Sequence, residues 1–228
     1  MLQKTGPMQI MVHRPQPGRR ATSPAILSEA FAATGADAAA AGFVLAQLPR
    51  DRGPVLWLQD RLTRKEAGAP YLPGLGAARD MLVMALTRPV DVLTAAEDGL
   101  RCKALGAVVA EVWGDPAVLD FTVTKRLALR SEAGNVPCWL IRYAASPDLS
   151  AARDRWRVTS LASALNPDDA LAPGNPRWRA ELFRSRDRQP GIWVAGHDRA
   201  ADRLDLVAAV SDGALAKDQG AAGRRPAG

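Results

Sequence analysis

The sequence predicts an α/β protein whose mostly parallel sheet is flanked by helices and continues into an antiparallel extension. Two observations predict this fold class. Up to Arg142, short apolar runs alternate with segments of helical spacing, the pattern of strands that are buried on both faces between crossover helices. Beyond Arg142, alternating apolar and polar residues between turn signals favour antiparallel strands.

Length and composition favour one folded domain with flexible ends. A chain of 228 residues, 47% of them hydrophobic, is long enough to bury a core without disulfides or metals. We expect a flexible arm over residues 1–24 with basic but no acidic residues, a single domain over 25–210, and a flexible tail over 211–228. The arm is either a solvated tail or an electrostatic arm that reaches DNA or an acidic partner.

Charge, cysteines and hydropathy narrow the function classes. The net charge of +6 suggests a polyanionic partner, although a compositional bias towards arginine and alanine gives the same value. Cys102 and Cys138 are expected to be reduced core thiols, and with only His13 and His197 besides, no zinc site is predicted. The chain has neither an apolar run of about 20 residues nor a signal peptide, so we expect a cytoplasmic protein.

The first strand–turn–helix unit is the usual context of a phosphate-binding loop. We predict a strand over 25–31, a turn over 32–37 and an alanine-rich helix over 38–48. A working loop needs several glycines and a Gly-Lys-Ser/Thr ending. Here the turn contains Thr34, Gly35 and Asp37 but no lysine, and a carboxylate at a helix start caps the helix while it repels phosphate. We therefore predict a degenerate loop.

Two further strands and a helix are expected next. Residues 54–60 read as a second buried strand and 81–85 as a third strand, and the polar loop 61–80 between them is a candidate surface feature. Pro89 suits the first turn of a helix that we extend to Lys103. Its predicted inner face consists of Val92, Leu93, Ala96 and Leu100.

The central strand–helix–strand unit is the clearest signal in the chain. The apolar runs 106–112 and 136–141 flank a helix over 119–132. Asp120 is its predicted cap, and Gly134 lies where the helix should end. After a loop over 143–152, strands at 153–161, 178–186, 192–195 and 204–210 are predicted to extend the sheet with antiparallel pairing.

This layout resembles the core of RecA-type ATPases. More specifically, the chain resembles the ImuA family of RecA-like accessory proteins in the stretches GPVLWLQDRLTRKEAG, RPVDVLTAAEDGLRC, GAVVAEVWG, DFTVTKRLALRSEA and RWRAELFRSRD. The resemblance implies a role in the SOS response, in translesion synthesis and in damage-induced mutagenesis. It implies contact with an ImuB-type inactive Y-family polymerase and with RecA, an indirect link to an error-prone C-family polymerase, and a nucleoid-associated location.

The same resemblance indicates where the chain departs from an active ATPase. Glu111, followed by Val112, takes the place of RecA's magnesium-strand aspartate, and Asp60 takes the place of its water-activating glutamate. Because phosphoryl transfer depends on positioning and charge neutralisation, a loop without its lysine should not support turnover. We therefore predict no catalytic residue, no cofactor and no metal. Glu111 and Asp60 alone do not make a site, and the favoured interpretation is that they are polar strand ends at a sheet edge.

Arginines with aromatic neighbours form the candidate contact surface for nucleic acid or a partner. Arginine clamps phosphate and aromatic rings stack on bases, whereas a tryptophan on a strand is also typical of a core. The candidates are Arg153, Arg155, Trp156, Arg157, Arg177, Arg179, Arg184 and Arg186. The leading hypothesis is a non-catalytic adaptor; the alternative is a DNA-binding or ATP-gated RecA-like module that acts on damaged DNA or RecA filaments.

Overall fold

A computed structural model describes residues 25–32, 34–49, 51–71, 80–201 and 203–208. The predicted arm over 1–24 and the predicted tail over 211–228 lie outside these residues. The described part folds as a layer of sheet with helices on both sides, which confirms the predicted α/β class.

The described strands form one sheet in the order β3-β2-β4-β5-β1-β6-β7-β8-β9. Strands β3, β2, β4, β5, β1 and β6 are mutually parallel, and β7, β8 and β9 follow with antiparallel pairing. Their bounds are β1 Leu27–Ala32, β2 Val55–Asp60, β3 Met81–Leu86, β4 Ala107–Trp113, β5 Cys138–Tyr143, β6 Asp154–Leu161, β7 Arg177–Ser185, β8 Gly191–Asp198 and β9 Arg203–Ala208.

Four helices lie in the described part: α1 Ala39–Gln47, α2 Arg61–Ala67, α3 Pro89–Gly99 and α4 Phe121–Gly134. Local sequence sets their ends. Asp120 caps α4 by accepting a hydrogen bond from the Val123 amide at 2.8 Å. Asn135 ends α4 in the left-handed region at φ 55°, a conformation that asparagine tolerates better than most residues.

The sheet separates two hydrophobic clusters. On one side, Phe43 of α1 packs against Trp156 and Trp178, with ring centroids 5.2 and 6.2 Å apart. On the other side, α3 and α4 cover β2, β4 and β5, and the four predicted inner residues of α3 are all buried. Burial of this apolar surface on both faces is the main stabilising contribution to the fold.

Three local predictions are wrong. Residues 61–67 form helix α2, because Asp60 ends β2 and supplies the helix cap that we did not recognise. β6 pairs in parallel with β1 and antiparallel with β7. The loop over 143–152 carries the chain from the end of β5 back to the side of the sheet at which β1 and β5 begin, so β6 runs in the same direction as they do. α3 ends at Gly99, which leaves Cys102 exposed, while Cys138 is buried as expected and burial raises the pKa of its thiol to about 12.

No helix among the described residues is long and apolar enough to cross a membrane.

Candidate functional site

In the turn between β1 and α1, the carboxylate of Asp37 is held by hydrogen bonds from protein groups. Asp37 Oδ1 accepts hydrogen bonds from the Ala39 amide at 2.9 Å and from the Ser160 hydroxyl at 2.6 Å. Asp37 Oδ2 accepts a third, from the Ser160 amide at 3.1 Å. Partial burial by itself raises the pKa of Asp37, but the bonds from Ser160 and Ala39 outweigh it and hold that pKa below its usual value. The helix start is thus occupied by a fixed negative charge.

The space above this turn is filled by an aromatic ring. A Cβ atom on Gly35 would lie 2.4 Å from Cζ3 of Trp113 and 3.0 Å from the carbonyl oxygen of Glu66. The Trp113 ring in turn stacks on Tyr143, with centroids 6.2 Å apart and planes inclined by 24°. The chain therefore packs protein atoms against the backbone of the turn, where a phosphate-binding loop leaves its amides open to a ligand.

Glu111 lies at the carboxyl end of β4 but is bound entirely by protein groups. Its carboxylate accepts hydrogen bonds from Trp57 Nε1 at 2.9 Å, from Gln59 Nε2 at 2.6 Å and from the Tyr143 hydroxyl. Only 2% of the residue is exposed, and burial raises the pKa of this carboxyl to about 7, although the three bonds oppose the shift.

Asp60 has a structural partner of its own. Its Oδ1 accepts the amide of Thr63 at 2.6 Å and caps α2, while its Oδ2 is buried without a hydrogen bond. Asp60 and Glu111 are polar groups near the carboxyl ends of β2 and β4, but these strands are interior and both residues are at least 98% buried, so neither lies at an edge of the sheet as expected. Among the described residues, no group of three or more His, Cys, Asp or Glu side chains is arranged to hold a metal ion.

The structure places two candidate contact residues inside the protein. Arg155 is 2% exposed, and its Nε donates to Glu29 Oε2 at 2.5 Å. Ser150 donates to the other oxygen of Glu29 at 2.8 Å. Trp156 is 1% exposed and belongs to the cluster under α1. In this fold neither Arg155 nor Trp156 is available to a nucleic acid or a partner.

The guanidinium of the buried Arg155 lies in a cluster with the rings of Phe31 and Phe183, which contact each other edge-on with centroids 5.7 Å apart. It lies 5.3 Å from the ring centroid of Phe31 and 5.2 Å from that of Phe183. Arg142 lies 5.6 Å from the ring centroid of Phe31, and Arg157 lies 4.3 Å from that of Phe183. Such cation–π contacts stabilise the junction of β1, β5, β6 and β7.

The remaining candidate arginines lie at the surface, some of them in ion pairs and some without. Arg153 pairs with Glu132 at 2.8 Å and with Asp187 at 3.3 Å, and Arg157 and Arg179 share Glu181 at 3.1 and 3.6 Å. Among the candidate arginines in the described part of the chain, three are exposed and make no ion pair. They are Arg177, Arg184 and Arg186.

Sequence reasoning missed Glu29, Trp113 and Tyr143. Glu29 could have been found from the sequence, because a carboxylate inside an otherwise apolar predicted strand needs a buried partner. No sequence pattern singles out Trp113 or Tyr143, because an aromatic residue at a strand end is typical of an ordinary core until the fold shows what it contacts.

Comparison with curated proteins agrees with the resemblance that the sequence motifs indicated. Two curated relatives from Caulobacter vibrioides, strains NA1000 and ATCC 19089, each named Protein ImuA, are 35% identical to this chain over 192 residues. The alignment covers 77% of this chain and 74% of each relative. The chain belongs to the ImuA family. No protein-family model matches it. Membership in the ImuA family bears out the resemblance that its strand and helix motifs indicated.

Proposed function

We propose that this protein is a non-catalytic, RecA-like adaptor of the SOS mutasome. In this role it supports translesion synthesis and damage-induced mutagenesis by binding an ImuB-type inactive Y-family polymerase and RecA. The error-prone C-family polymerase joins through those contacts. Membership in the ImuA family supports the involvement in damage-induced mutagenesis.

One observation carries the non-catalytic part of the proposal. The close contact of Trp113 with Gly35, together with the bonded carboxylate of Asp37 at the helix start, supports a turn that does not receive phosphate. Phosphoryl transfer needs donors and cations around the terminal phosphates. Here the turn offers a bound carboxylate, and both oxygens of Glu111 already accept hydrogen bonds from protein groups, from Trp57 and from Gln59.

The adaptor function is tested by pairwise binding. The purified chain is immobilised, and an ImuB-type protein and RecA are passed over it separately, with and without ATP and magnesium. We expect both proteins to bind, with affinities that nucleotide leaves unchanged when RecA is presented without DNA. Failure of both to bind would refute the adaptor function.

A second candidate function is direct binding of DNA. The exposed arginines without acidic partners, Arg184 and Arg186 at the end of β7 and in the turn beyond, favour it. Fluorescence anisotropy with single-stranded and duplex DNA at two salt concentrations tests it. Binding that falls steeply with salt and is lost in Arg184→Glu/Arg186→Glu would establish a DNA-binding module.

A further inference from the structure

Strand β3 forms one end of the sheet, and its outer edge is unpaired among the described residues. β3 pairs with β2 alone, whereas each interior strand has a neighbour on both sides. The opposite end of the sheet is β9, which pairs with β8 alone. An unpaired edge presents a row of amide and carbonyl groups to which the backbone of another strand can bond.

The ladder between β2 and β3 determines which groups of β3 face outward. The Val55 amide donates to the Asp80 carbonyl at 2.9 Å. Because alternate residues of a strand bond to the same neighbour in a parallel ladder, Leu82 and Met84 continue the bonds to β2. The residues in between direct their backbone N–H and C=O groups to the free edge. They are Met81, Val83 and Ala85.

The two edges of the sheet differ in charge. β3 has the sequence Met-Leu-Val-Met-Ala-Leu, without a charged residue, proline or glycine. β9 carries Arg203 and Asp205, which form an ion pair at 2.8 Å. Charged side chains on an edge strand hinder its pairing with another chain. The edge at β9 therefore has this protection, and the edge at β3 lacks it.

Two apolar side chains of β3 are exposed on one face of the sheet. Leu82 and Met84 are the neighbours of Leu56 and Leu58 in β2. Those two leucines are buried in the cluster with α3, but Leu82 is 51% exposed and Met84 is 42% exposed. Side chains of adjacent strands pack together on one face of a sheet. A further strand beside β3 would thus cover both residues with its own side chains.

We propose that the free edge of β3 binds an extended, apolar segment of a partner protein as an additional strand. The backbone of that segment bonds to the outward-facing N–H and C=O groups of β3, and its alternate side chains cover Leu82 and Met84. In such strand addition, main-chain bonds give affinity and alternate side chains give specificity. This inference rests on the proposed adaptor function and assigns it a surface.

Other occupants match the edge less well. The segments over 72–79 and 209–228 are rich in glycine and alanine, which are disfavoured in strands. The run over 8–12, Met-Gln-Ile-Met-Val, has strand propensity, but the chain that follows it enters β1, and β2, β4 and β5 lie between β1 and β3. A second copy carries the same net charge of +6, which opposes self-association.

Three variants alter the free edge. Ala85→Pro removes an outward-facing amide, and proline is tolerated on an edge strand where its nitrogen faces away from the ladder. Leu82→Glu and Met84→Glu each place a charge at an exposed apolar position of the edge. Val207→Glu in β9, where the side chain is 65% exposed, is the matched control at the other edge.

The affinities of a purified ImuB-type protein and of RecA are measured separately for the full chain and the four variants, with thermal unfolding to confirm that each is folded. We expect at least one of the two proteins to bind each edge variant about tenfold or more weakly and to bind Val207→Glu as it binds the unaltered chain. Unchanged binding of both proteins by all three edge variants would overturn the surface and leave the adaptor function standing. Absence of binding by the unaltered chain would refute the adaptor function and this surface with it.

Amide hydrogen exchange, resolved by residue, distinguishes strand addition from a contact between side chains alone. In the free chain, the ladder with β2 should protect the amides of Leu82 and Met84, while the three outward-facing amides of β3 exchange with solvent. We expect the binding protein to slow exchange at those three amides. Unaltered exchange there in the complex would overturn the proposal.

Two further results would assign the edge to another occupant. Outward-facing amides that are protected in the free chain and lose that protection when residues 1–24 are removed would make the chain's own arm the occupant. A dimer in solution that Leu82→Glu converts to a monomer would make a second copy the occupant. Either result overturns the proposal.

Discussion

The indole ring of Trp113 lies on the backbone of Gly35 so closely that a methyl group on Gly35 would have to displace it. This contact joins the end of β4 to the turn between β1 and α1. It makes the turn part of the packed structure.

Gly35→Ala should therefore lower the free energy of unfolding by about 1 to 3 kcal/mol, because it overpacks the contact with Trp113. Urea denaturation measures the loss. If the clash is the cause, the double variant Gly35→Ala/Trp113→Leu will lose less than the sum of the two single variants. Strict additivity would show that the two residues do not act on each other.

Asp37 should stabilise the start of α1 and its connection to β6. Asp37→Ala removes a bond to the Ala39 amide at the start of α1 and two bonds to Ser160, for an expected loss of about 1 to 2 kcal/mol, whereas Asp168→Ala at an exposed loop position serves as the control. Because folding lowers the pKa of Asp37, its contribution is present above the usual value of 3.8 and is lost as the pH falls. Equal acid sensitivity of Asp37→Ala and the unaltered chain would contradict this role.

Glu111 should make the protein less stable at high pH. Folding raises its pKa from 4.5 to about 7, so its favourable contribution is complete below pH 4.5 and is lost as the pH rises through 7. The difference corresponds to about 3 kcal/mol. Denaturation curves between pH 5 and pH 8 should show a decline that Glu111→Gln flattens. A variant with the same pH slope as the unaltered chain would place the titration elsewhere.

The sequence was sufficient for the fold class because the period of hydrophobic residues is a local signal. Val92, Leu93, Ala96 and Leu100 were predicted to face inward from spacing alone, and they do. Asp60 shows the limit of such patterns. It looked like the end of a strand before a loop, yet it caps α2, which is only seven residues long and too short for a clear helical period.

The site was harder to predict because it depends on contacts between distant segments. The absence of a lysine near Gly35 is visible in the sequence, but the partner of Asp37, Ser160, lies 123 residues away. In the same way, Arg155 looked like a surface contact until the sheet order placed β6 beside β1 and Arg155 beside Glu29. Which strand neighbours which is set by tertiary packing, and no local pattern reports it.

Breaking the Glu29–Arg155 pair should be among the most destabilising changes in the chain. Both side chains are nearly fully buried, so removing one leaves an uncompensated charge in the interior. Arg155→Met should cost about 3 to 5 kcal/mol, and Glu29→Leu/Arg155→Met should recover much of that loss. Thermal and urea unfolding give both values. A double variant that is no more stable than Arg155→Met would mean that the bonds to Ser150 and the phenyl rings matter more than the charge pair.

The most direct test of the central claim is binding of a labelled ATP analogue with magnesium, measured by calorimetry with RecA as the positive control. A non-catalytic adaptor whose turn is closed by Asp37 and Trp113 should bind no nucleotide at millimolar concentration. Saturable binding that a folded Glu111→Ala variant loses would contradict the account, because it would show that the turn still receives phosphate and that the protein responds to ATP.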